Sequence, residues 1–193
     1  MIRIATENDL PAILDIYTPY VENTTHSFEY RAPTAEEFLA RFRSITAQLP
    51  WLVWEENGTV SGYAYASLPF ERTAYQWCCE VSIYLAPQAC GKGIGKALYT
   101  ALEHLVVLQG YQLIYAIITT ENQHSLAFHE HLGYRTVAVL PDCGVKFNRR
   151  LGTVWTEKRF LTAQPPQNAP RSWREIVEND RKLREILATL SLS

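Results

Sequence analysis

Apolar and polar positions along the 193-residue chain switch repeatedly between a period of two and a period near 3.6, and the switches lay out its elements. Ile2 to Ala5 read as an opening strand. Thr6-Glu7-Asn8-Asp9 then starts a helix whose apolar face is Ala12, Ile13, Ile16, Tyr17 and Tyr20. Asn23 to Ser27 breaks it. Thr34-Ala35-Glu36-Glu37 is a capping box, and the helix behind it runs to about Thr46 through Phe38, Leu39 and Phe42. Trp51–Glu55 and Thr59–Ser67 are two strands around Asn57-Gly58, the strongest short hairpin signal. Gly62, inside the second, marks a bulge or a close backbone approach.

The second half opens with a β-branched and aromatic strand, Trp77 to Leu85. Pro87 halts it and glycines follow at 91, 93 and 95. Ile94, Ala97, Leu98, Ala101, Leu102, Leu105 and Val106 then form one helical face ending near Gly110. Tyr111 to Ile118 is a strongly apolar strand, so strand, helix and strand predict a right-handed parallel crossover. After the polar turn from Thr119 to Ser125, a short helix carries Leu126, Phe128, His129 and Leu132 and stops at Gly133. Tyr134–Leu140 and Gly152–Leu161 are the last strands expected, joined by a loop holding Lys146, Arg149 and Arg150. The layout predicts a domain over 1–163, a proline-rich linker over 164–171 and a closing amphipathic helix over 172–193. Its stripe of Trp173, Ile176, Val177, Leu183, Leu187 and Leu190 would leave an apolar patch if it faced water. The helix is therefore expected to dock on its own domain or on a second copy, and a homodimer is favoured.

Composition narrows the class. Hydrophobic content of 47%, charged content of 20% and a formal net charge of -2 describe a soluble globular α/β chain with no basic face for nucleic acid. Cys78, Cys79, Cys90 and Cys143 form no C-x-x-C pair, so neither a disulfide framework nor a metal site is expected, and a cytoplasmic setting is favoured. No signal peptide and no membrane span can be read.

The chemistry concentrates at the glycine turn. A strand, a glycine loop and a helix N-terminus make an anion site, because backbone N–H groups can approach a phosphate and the helix end adds about half a positive charge. Lys92 and Lys96 flank it. A Walker A loop fails, since Cys90 stands where its first glycine belongs and Ala97 where its hydroxyl belongs. A dinucleotide fingerprint fails too, with Lys96 in place of the third glycine. What fits is Q-x-x-G-x-G over Gln88, Gly91 and Gly93, which resembles the pyrophosphate loop of the GNAT superfamily of N-acetyltransferases.

The order of elements over residues 2 to 161 is similar to that superfamily. Thr24–Glu29, Gly62–Ala66, Glu80–Leu85, Ser125–Tyr134 and Gly144–Phe147 resemble its phosphinothricin and methionine-sulfoximine branch. Two features depart from that pattern: Trp155 and its neighbours Gly152-Thr153-Val154, where the branch usually carries an aspartate, and the helix after Pro170. The resemblance implies a mixed, mostly antiparallel sheet with a parallel β-α-β acetyl-CoA-binding core flanked by helices. It also implies direct attack of an amine on the acetyl thioester in a ternary complex.

On this resemblance Ser82, Ile83 and Tyr84 would hold the pantetheine arm like an added strand. Gln88, Cys90, Gly91, Lys92, Gly93, Ile94, Gly95 and Lys96 would cradle the pyrophosphate, and Asn122 and Ser125 would contact the arm. Glu80 would be the base and His129 the acid for the departing thiolate. Glu80 needs burial beside Trp77, or a relaying water, to suit an amine. Phe28, Glu29, Arg72, Tyr75, Lys146 and Phe147 are the expected acceptor-binding residues, their cations suiting an amine that also carries a carboxylate or phosphinate. The competing functions are a protein N-terminal or lysine acetyltransferase and a non-catalytic acyl-CoA-binding module.

Overall fold

The computed structural model describes residues 1–179. Seven strands, β1 (Ile2–Ile4), β2 (Trp51–Glu56), β3 (Thr59–Ser67), β4 (Cys78–Leu85), β5 (Leu113–Thr119), β6 (Arg135–Lys146) and β7 (Arg149–Arg159), form one sheet in the order β1-β2-β3-β4-β5-β7-β6. Every neighbouring pair is antiparallel except β4 and β5. The helices are α1 (Leu10–Asn23), α2 (Ala35–Thr46), α3 (Ile94–Gln109), α4 (Gln123–His131) and α5 (Trp173–Asn179). The mixed, mostly antiparallel sheet flanked by helices is the fold class expected.

The local signals act as physical chemistry requires. Thr34 Oγ1 accepts from the Glu37 amide at 3.2 Å while the Glu37 carboxylate accepts from the Thr34 amide at 2.8 Å. Asn57 and Gly58 turn the β2–β3 hairpin with φ of 52° and 77°, a left-handed pair that matches the twist of the strands. The register slips beside Gly62, and a side chain there would run into Leu85 Cδ2, so both readings of that glycine hold.

Strand alternation splits the core into two layers. Leu52, Ala64, Ala66, Cys79, Val81, Ile114, Ala116 and Ile118 face α3, packing on Leu98, Leu102 and Val106. On the opposite face Trp51, Val53 and Tyr63 pack under α1 and α2, against Ile13, Tyr17, Phe38 and Phe42. Tyr84 belongs to this second layer, with its ring centroid 4.9 Å from that of Tyr17.

Two expectations need correction. The last two strands are expected over Tyr134–Leu140 and Gly152–Leu161, yet β6 runs on to Lys146 and β7 begins at Arg149. The register shifts between Leu140 and Gly144 absorb Pro141 on what is the outermost strand of the sheet, where a missing N–H costs least. The loop expected to hold Lys146, Arg149 and Arg150 is therefore only the Phe147-Asn148 turn, with φ of 51° and 59°. Lys146 is also no surface cation. It is 1% exposed, and its Nζ donates to the carbonyls of Val21 and Ser27 at 2.6 Å each. Burial lowers its pKa. Replacing it with methionine should strand two buried carbonyls, at a cost of about 3 kcal/mol. A thermal melt should then fall by roughly 6–12 °C, and an unchanged melt would dismiss this anchoring role.

The linker and the start of the closing helix lie on the domain. Gln109 Nε2 donates to the carbonyls of Gln48 and Arg171, and Trp77 Nε1 donates to the Asn168 carbonyl. Trp173 and Ile176 pack on Leu105 of α3, and the Trp173 indole donates to the Thr46 carbonyl at 3.0 Å. The remainder of the stripe, Leu183, Leu187 and Leu190, lies outside the described residues.

Candidate functional site

The site arises where β4 and β5 part. They pair only from Cys78 to Glu80 against Leu113 to Tyr115, so beyond Glu80 the two strands carry backbone groups with no ladder between them. The gap is an open cleft. Val81 to Leu85 form one wall and Ala116 to Thr119 the other. Cys90, Gly95, Asn122, Ser125 and Phe128 close one side of it, with Tyr20 and His26 at another. Tyr20 Oη donates to the Leu85 carbonyl at 2.7 Å and steadies the lip.

At the mouth stands the glycine loop. Pro87–Ala89 make one 3-10 turn, and Gly91 and Gly93 then adopt φ of 74° and 79°, the left-handed region that glycine enters without cost. Gly93 is the N-cap of α3, so the amides of Ile94, Gly95 and Lys96 open the helix with no intrahelical partner. Nothing lies within 4 Å of where a side chain at 91 or 93 would start. An open concavity ringed by donors fits a pyrophosphate.

Glu80 is the last residue of β4 to pair with β5. Burial alone raises its pKa to about 7, so a carboxyl that titrates near neutrality stands where the two strands part, just outside the cleft lining. Trp77 is engaged with the Asn168 carbonyl of the linker. Ser82, next on the same face, is the register partner of Tyr65, whose hydroxyl burial pushes up to about 12.

His129 sits at the far side and is 3% exposed. Its Nδ1 lies 2.7 Å from the Ser125 carbonyl, which can only accept, so Nδ1 carries the hydrogen. Nε2 is then the acceptor, and the Tyr99 hydroxyl donates to it at 2.7 Å. Burial lowers the imidazole pKa and keeps the ring neutral in this arrangement. Ser125 is itself held by the Asn122 cap, whose Oδ1 accepts from the Ser125 amide at 3.1 Å.

The expected cofactor residues thus share one cleft and its mouth, while the expected acceptor residues scatter. Glu29 is ion-paired with Arg41 at 2.7 Å. Phe28 packs on Gly144, and Phe147 stands half-exposed at the hairpin turn. Arg72 lines a second cavity, together with Gln48, Tyr111 and Arg171, away from the cleft walls. Tyr75 stacks on Phe70 with centroids 4.6 Å apart, and that pair continues into Tyr115 and Trp155. Sequence reasoning missed Tyr99, His26 and His124 among the residues lining the cleft. Tyr99 fell among the helical residues off the counted apolar face, and the others gave no local signal.

The comparisons agree with this geometry. An acetyltransferase (GNAT) domain family matches residues 2–155. The phosphinothricin N-acetyltransferase of Alcaligenes faecalis is 37% identical over 161 residues, spanning 81% of this chain and 81% of that one. The L-methionine sulfoximine/L-methionine sulfone acetyltransferase of Salmonella typhimurium is 32% identical over 171 residues, 87% of this chain and 96% of that one. Among solved structures, a GNAT superfamily phosphinothricin acetyltransferase from Sinorhizobium meliloti in complex with AcCoA superposes with a TM-score of 0.84 at 34% identity, covering 89% of this chain and 96% of that one.

Proposed function

The chain belongs to the GNAT acetyltransferase family and is an acetyl-CoA-dependent N-acetyltransferase, and from that premise we propose its acceptor class, its catalytic groups and its assembly. The acceptor is the primary amine of a small amino-acid-like molecule. The observation that carries this reading is the parting of β4 and β5 at Glu80, which sets a carboxyl of pKa about 7 at the point where the cleft between the strands begins. In the ternary complex Glu80 takes the proton of the acceptor ammonium, directly or through a water. The freed amine then attacks the thioester carbonyl, and the C–S bond breaks as the amide forms.

The chain's own backbone does the holding. The unpaired groups of Ser82 to Tyr84 accept the pantetheine amides in place of a strand, and the N–H groups of residues 91–96 bind the pyrophosphate. Around His129, Nδ1–H is tied to Ser125 and Nε2 accepts from the Tyr99 hydroxyl, so the neutral imidazole has no free proton to give. The thiolate takes the second proton of the attacking amine, through solvent or past the Tyr99 hydroxyl. A thiol leaving group with a reference pKa of about 8.5 needs little help, so this pair contributes less than Glu80.

The test is a panel of amines incubated with acetyl-CoA, read as CoA release and a mass gain of one acetyl group. Phosphinothricin, methionine sulfoximine and common amino acids head it, with lysine-bearing peptides for contrast. Acetylation of the small amino acids supports the reading; acetylation of peptides alone overturns it.

The assembly proposed is a homodimer built on β6. That strand is exposed along nearly its whole length and presents Val137, Val139 and Val145 at 46%, 57% and 51% exposure on the open edge of the sheet. An unprotected apolar edge of this length is one that a second copy would cover. The compartment proposed is the cytoplasm, where free thiols such as Cys78, Cys79, Cys90 and Cys143 persist. Light scattering should give about twice the 22.1 kDa chain mass, and Val139→Lys should halve it. A monomeric wild type removes the dimer.

A further inference from the structure

The face of the sheet that carries Glu80 is unevenly covered. Helices α1 and α2 pack over its β2–β4 half, where Tyr63, Tyr84 and Trp51 lie. On the other half, register places Tyr115 beside Glu80, and Trp155 beside Ile117 two residues further along β5. Among the described residues the 68–76 loop reaches over this part. It brings Phe70, whose centroid lies 6.2 Å from Tyr115, 6.3 Å from Trp155 and 4.6 Å from Tyr75. Tyr115 and Trp155 are themselves 6.4 Å apart. None of these four rings is buried, and Tyr75 is 44% exposed. Four adjoining aromatic side chains that keep water-facing surface beside Glu80 form a wall that the described residues leave partly uncovered.

Charge in the neighbourhood points the same way. Arg159 is bound to Glu157, Arg149 to Glu121 and Arg41 to Glu29. Lys146 is spent on two backbone carbonyls, and Arg72 lines the second cavity. Of the cations that the sequence offered for an anionic side chain, Lys146 and Arg149 are thus engaged, Arg150 lies on β7 opposite Val145, and Arg72 borders a cavity that Phe70 also lines.

Resting on the transferase reading above, we infer that Phe70, Tyr75, Tyr115 and Trp155 form the subsite for the acceptor's side chain and select an aromatic or large aliphatic one over a small or anionic one. Burying such a group against the rings recovers the hydrophobic free energy of both surfaces, while a second anion beside Glu80 would be desolvated without a partner.

The experiment compares kcat/KM for phenylalanine, tryptophan and leucine with that for alanine, glutamate and phosphinothricin at saturating acetyl-CoA. The wild type should favour the aromatic amino acids by about tenfold or more. Trp155→Ala should erode that preference by raising KM for phenylalanine about tenfold, with a smaller rise for alanine and an unchanged KM for acetyl-CoA. Trp155→Phe should restore most of it. Phe70→Leu gives a second reading should Trp155→Ala melt below the assay temperature. A preference for phosphinothricin or alanine, or equal losses across the panel in these variants, overturns the subsite and leaves the transferase standing. If acetyl-CoA binds by calorimetry and no amine is acetylated, the transferase reading falls and takes this inference with it.

Discussion

Glu80→Gln should lower turnover at pH 7 by roughly 10²–10⁴-fold while acetyl-CoA affinity stays near its wild-type value. The substitution keeps the shape of the side chain where β4 and β5 part and removes only its ability to take a proton. Wild-type kcat/KM should rise with pH through about 7, the value to which burial lifts this carboxyl, because only the ionised form accepts the ammonium proton. In the variant that limb should vanish, and activity should climb only toward the amine's own pKa. The same buried carboxyl costs stability when it ionises. Below the unfolded value near 4.5 it is protonated in both states. Between 4.5 and about 7 the unfolded chain releases its proton while the folded chain keeps it, so folding stability falls across that window and stays lower above it. Glutamine has no such loss. Above pH 7 the variant should therefore melt higher than wild type, by an amount reaching about 3 kcal/mol. A variant with wild-type turnover, or one that is less stable at pH 8, would remove Glu80 from the role of buried base.

The second large effect is expected at the mouth of the cleft. Gly93→Val should weaken acetyl-CoA about 100-fold by calorimetric titration, with the fold retained. Gly93 sits at φ 79° as the N-cap of α3, a conformation that costs an L-residue about 1–2 kcal/mol and a β-branched one more. That strain should lower the melting temperature by only roughly 3–8 °C. Space is free around the new Cβ in the empty protein, so no packing clash adds to the cost. The affinity loss has a different origin: the added methyls stand where a phosphate must approach, and several charge-assisted bonds worth about 1.5–3 kcal/mol each are weakened together. Unchanged affinity would move the pyrophosphate away from this loop.

What the sequence made legible was whatever is decided locally. Asn57-Gly58, the Thr34–Glu37 box, the loop around Gly91 and Gly93 and the Asn122 turn are each fixed by residues within a few positions, and each stands where it was read. Contacts decided across the sheet were not legible. The meeting of Tyr115 with Trp155 depends on the β5–β7 register, and the Tyr99–His129 bond joins residues on two different helices. Lys146 shows the limit most clearly: a lysine near a predicted turn reads as solvated. Only the tertiary arrangement, with Val21 and Ser27 carbonyls converging on it, makes burial affordable. The β6–β7 hairpin was misjudged for a related reason, since Pro141 stops a central strand but not an outer one.

The short pairing of β4 with β5 has one more consequence, in how the molecule breathes. A sheet normally shields its amides by laddering both sides of every interior strand, and here two interior strands are laddered on one side only for part of their length. In the free protein the cleft-facing amides within 81–85 and 116–119 should exchange with deuterium far sooner than those locked between β3 and β4 or between β5 and β7. The native state therefore carries a seam down its centre. Whatever molecule sutures that seam with its own amides should slow exchange on both banks at once, and should raise the melting temperature by mass action as its concentration passes its dissociation constant.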